Sequence, residues 1–358
     1  MQEDIKSKTI EELAAEFAEM GLPRYAARQV FAWLHQKNAK SFEQMTNISK
    51  QNRIKLCEKY YISIPILQKR LVSTLDSTVK YLCELYDGER IECVFMRYHH
   101  GNTLCISTQA GCRMGCAFCA STQNGLSRNL TAGEMLSQIQ FAQEDLGEKV
   151  NNVVLMGIGE PLDNYDNVLR FLTLVRHEDG LNIGHRHISL STCGLVDKIY
   201  ALMEERLQVT LSVSLHAPND EIRSRMMPVN RRWPIEKLLA ACKEYGERTG
   251  RRISFEYSLV DGVNDSIDNA VELAGRLRGI LCHVNLIPVN EIGKKDIHTS
   301  RAAHIRAFQK TLEEHGYTVT VRRTLGADIN ASCGQLRADR GDNIEADRTI
   351  GHRQGEKE

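Results

Sequence analysis

Between residues 103 and 315 the chain alternates six times between a short strand-like run and a helix-length amphipathic run. No other feature limits the possible folds as much. The strand-like runs lie near 103–107, 152–156, 187–191, 209–215, 252–258 and 282–287, and the helical ones near 131–146, 164–177, 195–205, 234–249, 266–279 and 300–315. Strands and helices that take turns at this length build a parallel sheet with helices on its outside. Six units fall two short of the closed eightfold barrel. The pattern therefore predicts an α/β fold, a partial and splayed (βα)6 barrel.

The residues before this barrel have a different texture. Thr9 followed by Glu12 forms a capping-box signal ahead of IEELAAEFAEM, and Gly21 ends that helix. Pro23 opens a second helix and a third is expected near 48–59. Strands are expected at 64–73, 79–86 and 91–97, with Asp87-Gly88 as a hairpin turn. The implied division is a helical domain at 1–62, a β-rich connecting extension at 63–100, the barrel with a C-terminal loop at 101–345, and a tail at 346–358. No apolar run reaches the ~18–20 residues of a membrane span, and the acidic opening resembles neither a signal nor a transit peptide. A cytoplasmic protein is the expectation. The 46 basic and 46 acidic residues cancel, so a nucleic-acid partner has to be held by a local patch.

In folds of this class, chemistry collects at the C-terminal ends of the strands. Those ends carry GIGEP (157–161), STCG (191–194), SLHAP (214–218), VDGVND (260–265) and LIPVN (286–290), and above all the cysteine loop GCRMGCAFCAST (111–122). Of the 11 cysteines, most read as small buried hydrophobes. Cys112, Cys116 and Cys119 have the spacing Cys-x3-Cys-x2-Cys and converge on one centre. Three thiolates leave a four-iron cubane one ligand short, and the open iron can chelate the amino and carboxylate groups of a methionine-type ligand and pass an electron to its sulfonium. Zinc is the competing occupant, with Cys105 as a fourth ligand.

Cys-x3-Cys-x2-Cys after the first barrel strand, followed by a GxGE loop, resembles the radical S-adenosylmethionine (SAM) superfamily. CISTQAGCRMGCAFCAST, RNLTAGE (128–134), GEPLDNYDNV (159–168), ISLSTCGLV, SLHAPND, LIPVN and NASCGQL (330–336) together resemble, more narrowly, its RlmN/Cfr family of adenosine methyl synthases. LPRYAARQVFAWLHQKNAKSFEQMTNISK likewise resembles that family's accessory RNA-binding domain. The resemblance implies a [4Fe–4S] cluster on Cys112, Cys116 and Cys119, shielded by Phe118. It implies SAM contacts at Gly159, Glu160, Ser191, Ser214, Leu215, His216 and Asn290, with Glu160 accepting from the cofactor's ammonium group.

It also gives the isolated Cys333 a role. A methyl passes from one SAM to Cys333, and a radical derived from a second SAM activates that methyl for addition to the base. Cys105 then attacks the Cys333 sulfur, and a transient disulfide releases the product, while Glu92 is the matching proton acceptor. Two SAM molecules are thus consumed per turnover, and a reductant such as flavodoxin or ferredoxin is implied. Ala120-Ser121-Thr122 is similar to the branch that methylates C2 of an adenosine in 23S rRNA and in tRNA, whereas the branch that methylates C8 reads Ala-Thr-Gly there. A metal-stabilised RNA-binding protein without catalysis, and a radical SAM enzyme without the methyl-cysteine step, are the readings from other classes. For RNA, residues 47–80 hold Lys50, Arg53, Lys55, Lys59, Lys69, Arg70 and Lys80 against Glu58 and Asp76. The pairs Arg231-Arg232, Arg251-Arg252 and Arg322-Arg323 add to them. A monomer is the default expectation.

Overall fold

The computed structural model describes residues 2–290, 297–332 and 334–336. Three helices come first: α1 (Ile10–Glu19), α2 (Tyr25–His35) and α3 (Lys50–Lys59). The Thr9–Glu12 capping box is formed, each side chain bonding the other residue's N–H. A two-residue strand β1 (Glu3–Asp4) pairs parallel with β2 (Tyr60–Tyr61) and draws both ends of this helical region together.

β3 (Ile66–Val72), β4 (Val79–Glu84) and β5 (Arg90–Tyr98) follow as an antiparallel meander. These strands lie within the span 63–100 expected as a β-rich connecting extension. β5 pairs antiparallel with the first barrel strand β6 (Gly101–Cys105), with Val94 opposite Cys105. The meander and the barrel share one ten-stranded sheet.

β6, β9 (Asn152–Leu155), β10 (Ile188–Thr192), β11 (Thr210–Ser214), β12 (Ile253–Leu259) and β13 (Cys282–Pro288) are the six expected strands, all parallel. Helices α4 (Ala132–Leu146), α5 (Tyr165–Val175), α6 (Val196–Glu204), α8 (Ile235–Thr249), α9 (Ile267–Arg276) and α10 (Ala302–Glu314) complete six βα units. β14 (Thr318–Val321), a seventh parallel strand, forms one edge of the sheet and β3 the other, so the barrel stays open. Two elements are additional to the alternation. A hairpin of β7 (Gln109–Gly111) and β8 (Leu126–Asn129) carries the cysteine loop, and a seven-residue helix α7 (Asp220–Met226) lies within the β11–α8 connection.

Period-two alternation decides what each face of the barrel does. On β10 to β13, Ile188, Leu190, Leu211, Val213, Ile253, Phe255, Val284 and Leu286 are buried in the main core. The intervening residues are small or polar and meet one another: Ser189 lies 3.0 Å from Ser212, Ser254 donates to Glu256, and Asn285 donates to Glu256. Small polar residues leave space inside the barrel and line it with hydrogen-bonding groups. No helix among the described residues is long and apolar enough to cross a membrane.

Candidate functional site

The hairpin β7–β8 holds the cysteine loop over the strand ends. Cys112 N–H donates to Gly125 C=O (2.9 Å), Ala117 N–H to Met226 C=O at the end of α7 (2.8 Å), and Ala120 N–H to Gly334 C=O (2.7 Å). The loop is thereby tied to its hairpin, to α7 and to the C-terminal segment. Beneath it opens a cavity of about 910 Å³ whose wall includes Cys112, Cys116, Cys119, Phe118, Gly159, Glu160, Ser191, Ser214, His216 and Asn290. Of the expected cluster and cofactor residues, only Leu215 stands outside the wall; it is buried, and its N–H donates to Glu256 C=O.

Burial pushes the Cys112 thiol up to about 12 and raises Cys116 further, and the neighbouring cysteines add to both shifts. These are neutral thiols until a metal displaces their protons. Among the described residues, one His, Cys, Asp or Glu trio has its ligand atoms all within 4.8 Å of each other: Asp261, Asp265 and His304. The cysteine sulfurs are thus spread more widely than a single ion requires. Three thiols spaced in this way fit a cluster better than zinc.

Glu160 faces the same cavity and is buried. Its Oε2 accepts from Cys193 N–H (2.7 Å) and its Oε1 from Leu162 N–H (3.0 Å). Burial raises its pKa, and these amide donors only partly offset the effect. A buried carboxylate held by neutral dipoles favours a cationic ligand. The two glycines before it have a packing reason. A Cβ on Gly157 would lie 2.6 Å from Ile106 O, and one on Gly159, at φ +111°, 2.6 Å from the Gln109 Cβ. This turn is pressed against the end of β6, and Gln109 Oε1 accepts from Glu160 N–H (2.8 Å).

His216 occupies the left-handed region at φ +56°. Its Nδ1 accepts from Ser258 N–H (2.8 Å), its C=O accepts from Asn264 (2.7 Å), and its ring meets Phe118 edge-on with centroids 4.7 Å apart. Burial, with Arg223 adding to it, pushes its pKa down to about 3, so the ring is neutral. It joins the rim loop of β11 to the cluster loop.

A second cavity of about 520 Å³ shares Met156, Ile287, Asn290 and Arg322 with the first, and Cys105 lines it. Cys333 lies outside the described residues. Its neighbours flank both chambers, Gly334 in the wall of the cluster cavity and Ser332 in that of the Cys105 cavity. Glu92 is buried on the face of β5 that carries Val94, the partner of Cys105. Its carboxylate pairs with Lys80 Nζ at 2.8 Å, and the same ammonium donates to Asn330 C=O at 3.1 Å. Glu92 is no ordinary exposed strand carboxylate.

The structure redraws the basic patch expected at 47–80. Lys80 is buried against Glu92, Lys59 pairs with Glu16, and Arg70 pairs with Asp145. Three of the seven cations thus have carboxylate partners. Sequence reasoning also missed residues of the site itself. Glu256 and Cys193 line the cluster cavity, and Arg322, singled out only as half of a surface pair, lines both chambers. The alternation Ser254, Glu256, Ser258 on β12 was the available signal for Glu256, since a carboxylate at an inward position is unusual.

Residues 106–274 match the Radical SAM superfamily and residues 4–62 the ribosomal RNA large subunit methyltransferase N-terminal domain. A probable dual-specificity RNA methyltransferase RlmN of Clostridium novyi is 52% identical over 93% of this chain and 97% of its own length. Its counterpart in Clostridium perfringens is 54% identical over 92% and 95%. Among solved structures, a radical SAM methyltransferase from Sphaerobacter thermophilus superposes with a TM-score of 0.89 at 44% identity, covering 94% of this chain and 100% of that one.

Proposed function

The chain belongs to the RlmN family of radical SAM RNA methyltransferases, and from that premise we propose that it methylates C2 of an adenosine in 23S rRNA and of adenosine 37 in tRNA. Its cofactors are a [4Fe–4S] cluster and SAM. Bound together, they supply a one-electron cleavage of the sulfonium and the methyl carbon.

In this reading Cys112, Cys116 and Cys119 hold the cluster, and the buried Glu160 carboxylate accepts from the ammonium group of SAM. Gly159, Ser191, Asn290 and the segment Ser214-Leu215-His216 complete the seat. Cys333 takes a methyl group as a thioether, and two SAM molecules are consumed per product. Glu92 accepts the proton that leaves C2 of the adenine. Cys105 then attacks the Cys333 sulfur: an S–S bond forms, the S–C bond breaks, and the carbon keeps the electron pair and takes up a proton. A protein reductant of the flavodoxin or ferredoxin class supplies the electron for SAM cleavage.

One observation carries the reading. Three spaced thiols and an unpaired buried carboxylate face one cavity, and the chamber that shares its wall contains Cys105. Ala120-Ser121-Thr122 favours C2 over C8. The test is anaerobic reconstitution with an rRNA fragment and mass spectrometry of the product nucleoside. 2-Methyladenosine is expected, whereas 8-methyladenosine assigns the chain to the C8 chemistry. Cys105→Ala is expected to accumulate a covalent protein–RNA adduct; normal turnover without adduct refutes the release step.

A further inference from the structure

Arg223, on α7, has no solvent exposure. Its Nε donates to Leu215 C=O (3.1 Å) and its Nη1 to Asn230 Oδ1 (2.9 Å) and Trp233 C=O (3.4 Å). Nη2 donates to Cys193 C=O (2.7 Å) and Ser214 C=O (3.1 Å). Every one of these acceptors is neutral. Asp220, on the same short helix, is engaged elsewhere, accepting from Asn230 Nδ2 (2.9 Å) and Ile235 N–H (2.8 Å).

A cation taken out of water without a counter-charge is costly. A lysine can escape by losing its proton, as Lys6 shows: burial pushes its pKa down to about 7. Arginine stays protonated, so a counter-charge must come from elsewhere. The groups acting on Arg223 point to its source. Burial pulls its pKa down, and the groups that pull it back are led by the thiols of Cys193 and Cys116, with Cys242 and the Asp220 carboxylate acting less. Cys193 packs in one cluster with Cys116, Met114 and Phe118 of the cysteine loop, and the loop itself bonds to the end of α7 through Ala117.

We infer that Arg223 is the built-in counter-charge of the iron–sulfur site, a positioning residue that favours the reduced cluster without touching it. The inference rests on the reading that Cys112, Cys116 and Cys119 hold the cluster. A dipositive core on three thiolates carries one net negative charge, and uptake of one electron from a low-potential donor makes it two. A fixed cation nearby stabilises the second charge more than the first. Its hydrogen bonds also hold the carbonyls of Cys193, Ser214 and Leu215 in the rim, so charge and scaffolding need separate variants.

The test is a spectroelectrochemical titration of the anaerobically reconstituted protein, with iron and sulfide determined per chain. Arg223→Lys places an amine there that can lose its proton, so its charge fades as pH rises, and its potential is expected to move from the wild-type value at low pH toward that of a neutral side chain at high pH. Arg223→Met removes it and is expected to lower the reduced-to-oxidised ratio at a fixed potential about tenfold, equal to about 59 mV for one electron. Asn230→Asp, made together with Asp220→Asn so that the hydrogen bond between these two positions is kept, leaves the guanidinium in its seat and moves a carboxylate beside it, so it is expected to shift the ratio in the same direction. A fully loaded Arg223→Met or double-variant cluster at the wild-type potential overturns the inference. Should Arg223→Met fail to load, the double variant decides alone. A wild-type chain that binds no iron and sulfide overturns the reading of the site itself, a result distinct from a loaded cluster with an unmoved potential.

Discussion

Charged groups are handled differently in the N-terminal helical region and at the barrel rim. In the former, Glu16 accepts from Lys8 (2.7 Å) and Lys59 (2.9 Å) and also from the Tyr60 hydroxyl. Lys8 additionally pairs with Glu3, and Arg170 of the barrel reaches back to Glu12. Every one of these charges has its opposite within the chain. At the rim, Glu160 and Arg223 are more deeply buried, yet their hydrogen-bond partners are amides and carbonyls. Charges answered within the chain stabilise the fold. On the reading proposed above, charges answered only by dipoles mark places where ligands of opposite sign complete the balance, an ammonium group at Glu160 and an anionic cluster near Arg223.

The buried Lys80–Glu92 pair combines both situations and gives the largest expected effect. It has its counter-charge in place, but it lies beside the Cys105 chamber. Lys80→Met removes the cation that pairs with the buried Glu92, at a cost of about 3–5 kcal/mol, read as a lowered urea midpoint with unchanged slope. Adding Glu92→Gln is expected to recover most of that stability without restoring methyl transfer. If Lys80→Met loses activity at full stability, the pair belongs with the rim charges. Glu160→Gln ranks next. On the proposed reading it removes a charged acceptor for SAM, worth about 1.5–3 kcal/mol, so affinity in equilibrium dialysis is expected to fall by about 10- to 100-fold. Stability of the cofactor-free protein is expected to hold or rise, because an unanswered buried carboxylate is gone; a clear loss of stability breaks the comparison.

Much of this was legible in the sequence because it is periodic or compact. The six βα units, the Thr9–Glu12 box and the cysteine spacing are local patterns with local physical causes, and each appears where its pattern predicts. Arg223 was not legible. In DEIRSRM it reads as one more charge on a short surface helix, and its burial exists only once the β10 and β11 loops close over it. The partner of Glu92 was hidden for a related reason. Lys80 and Glu92 share a face because the turn at 85–89 sets Lys80 opposite Val94 and Leu82 opposite Glu92, a pairing that the intervening sequence does not display. β14 escaped because its polar–apolar alternation, Thr318 to Val321, runs for only four residues, too short to stand out as a strand.

The smallest expected effect tests the other side of the comparison. Partial burial raises the pKa of Glu16, but hydrogen bonds from Lys8, Tyr60 and Lys59 outweigh it and bring the carboxyl down to about 2 from an ordinary 4.5. A carboxyl depressed in the folded state binds its proton less readily there than in the unfolded chain. Its contribution is therefore complete above pH 4.5 and disappears as pH falls through about 2. Glu16 is only part-buried at the surface, so solvent screening keeps the contribution small, and Glu16→Gln is expected to cost about 1 kcal/mol at neutral pH. The difference in unfolding free energy between wild type and Glu16→Gln should shrink steadily as pH is lowered from 4.5 towards 2, while SAM affinity at neutral pH stays at the wild-type value. A difference that is flat across this range detaches the stability of the helical region from its paired charges. A loss of SAM affinity in Glu16→Gln removes the separation between charges that hold the fold and charges that hold ligands.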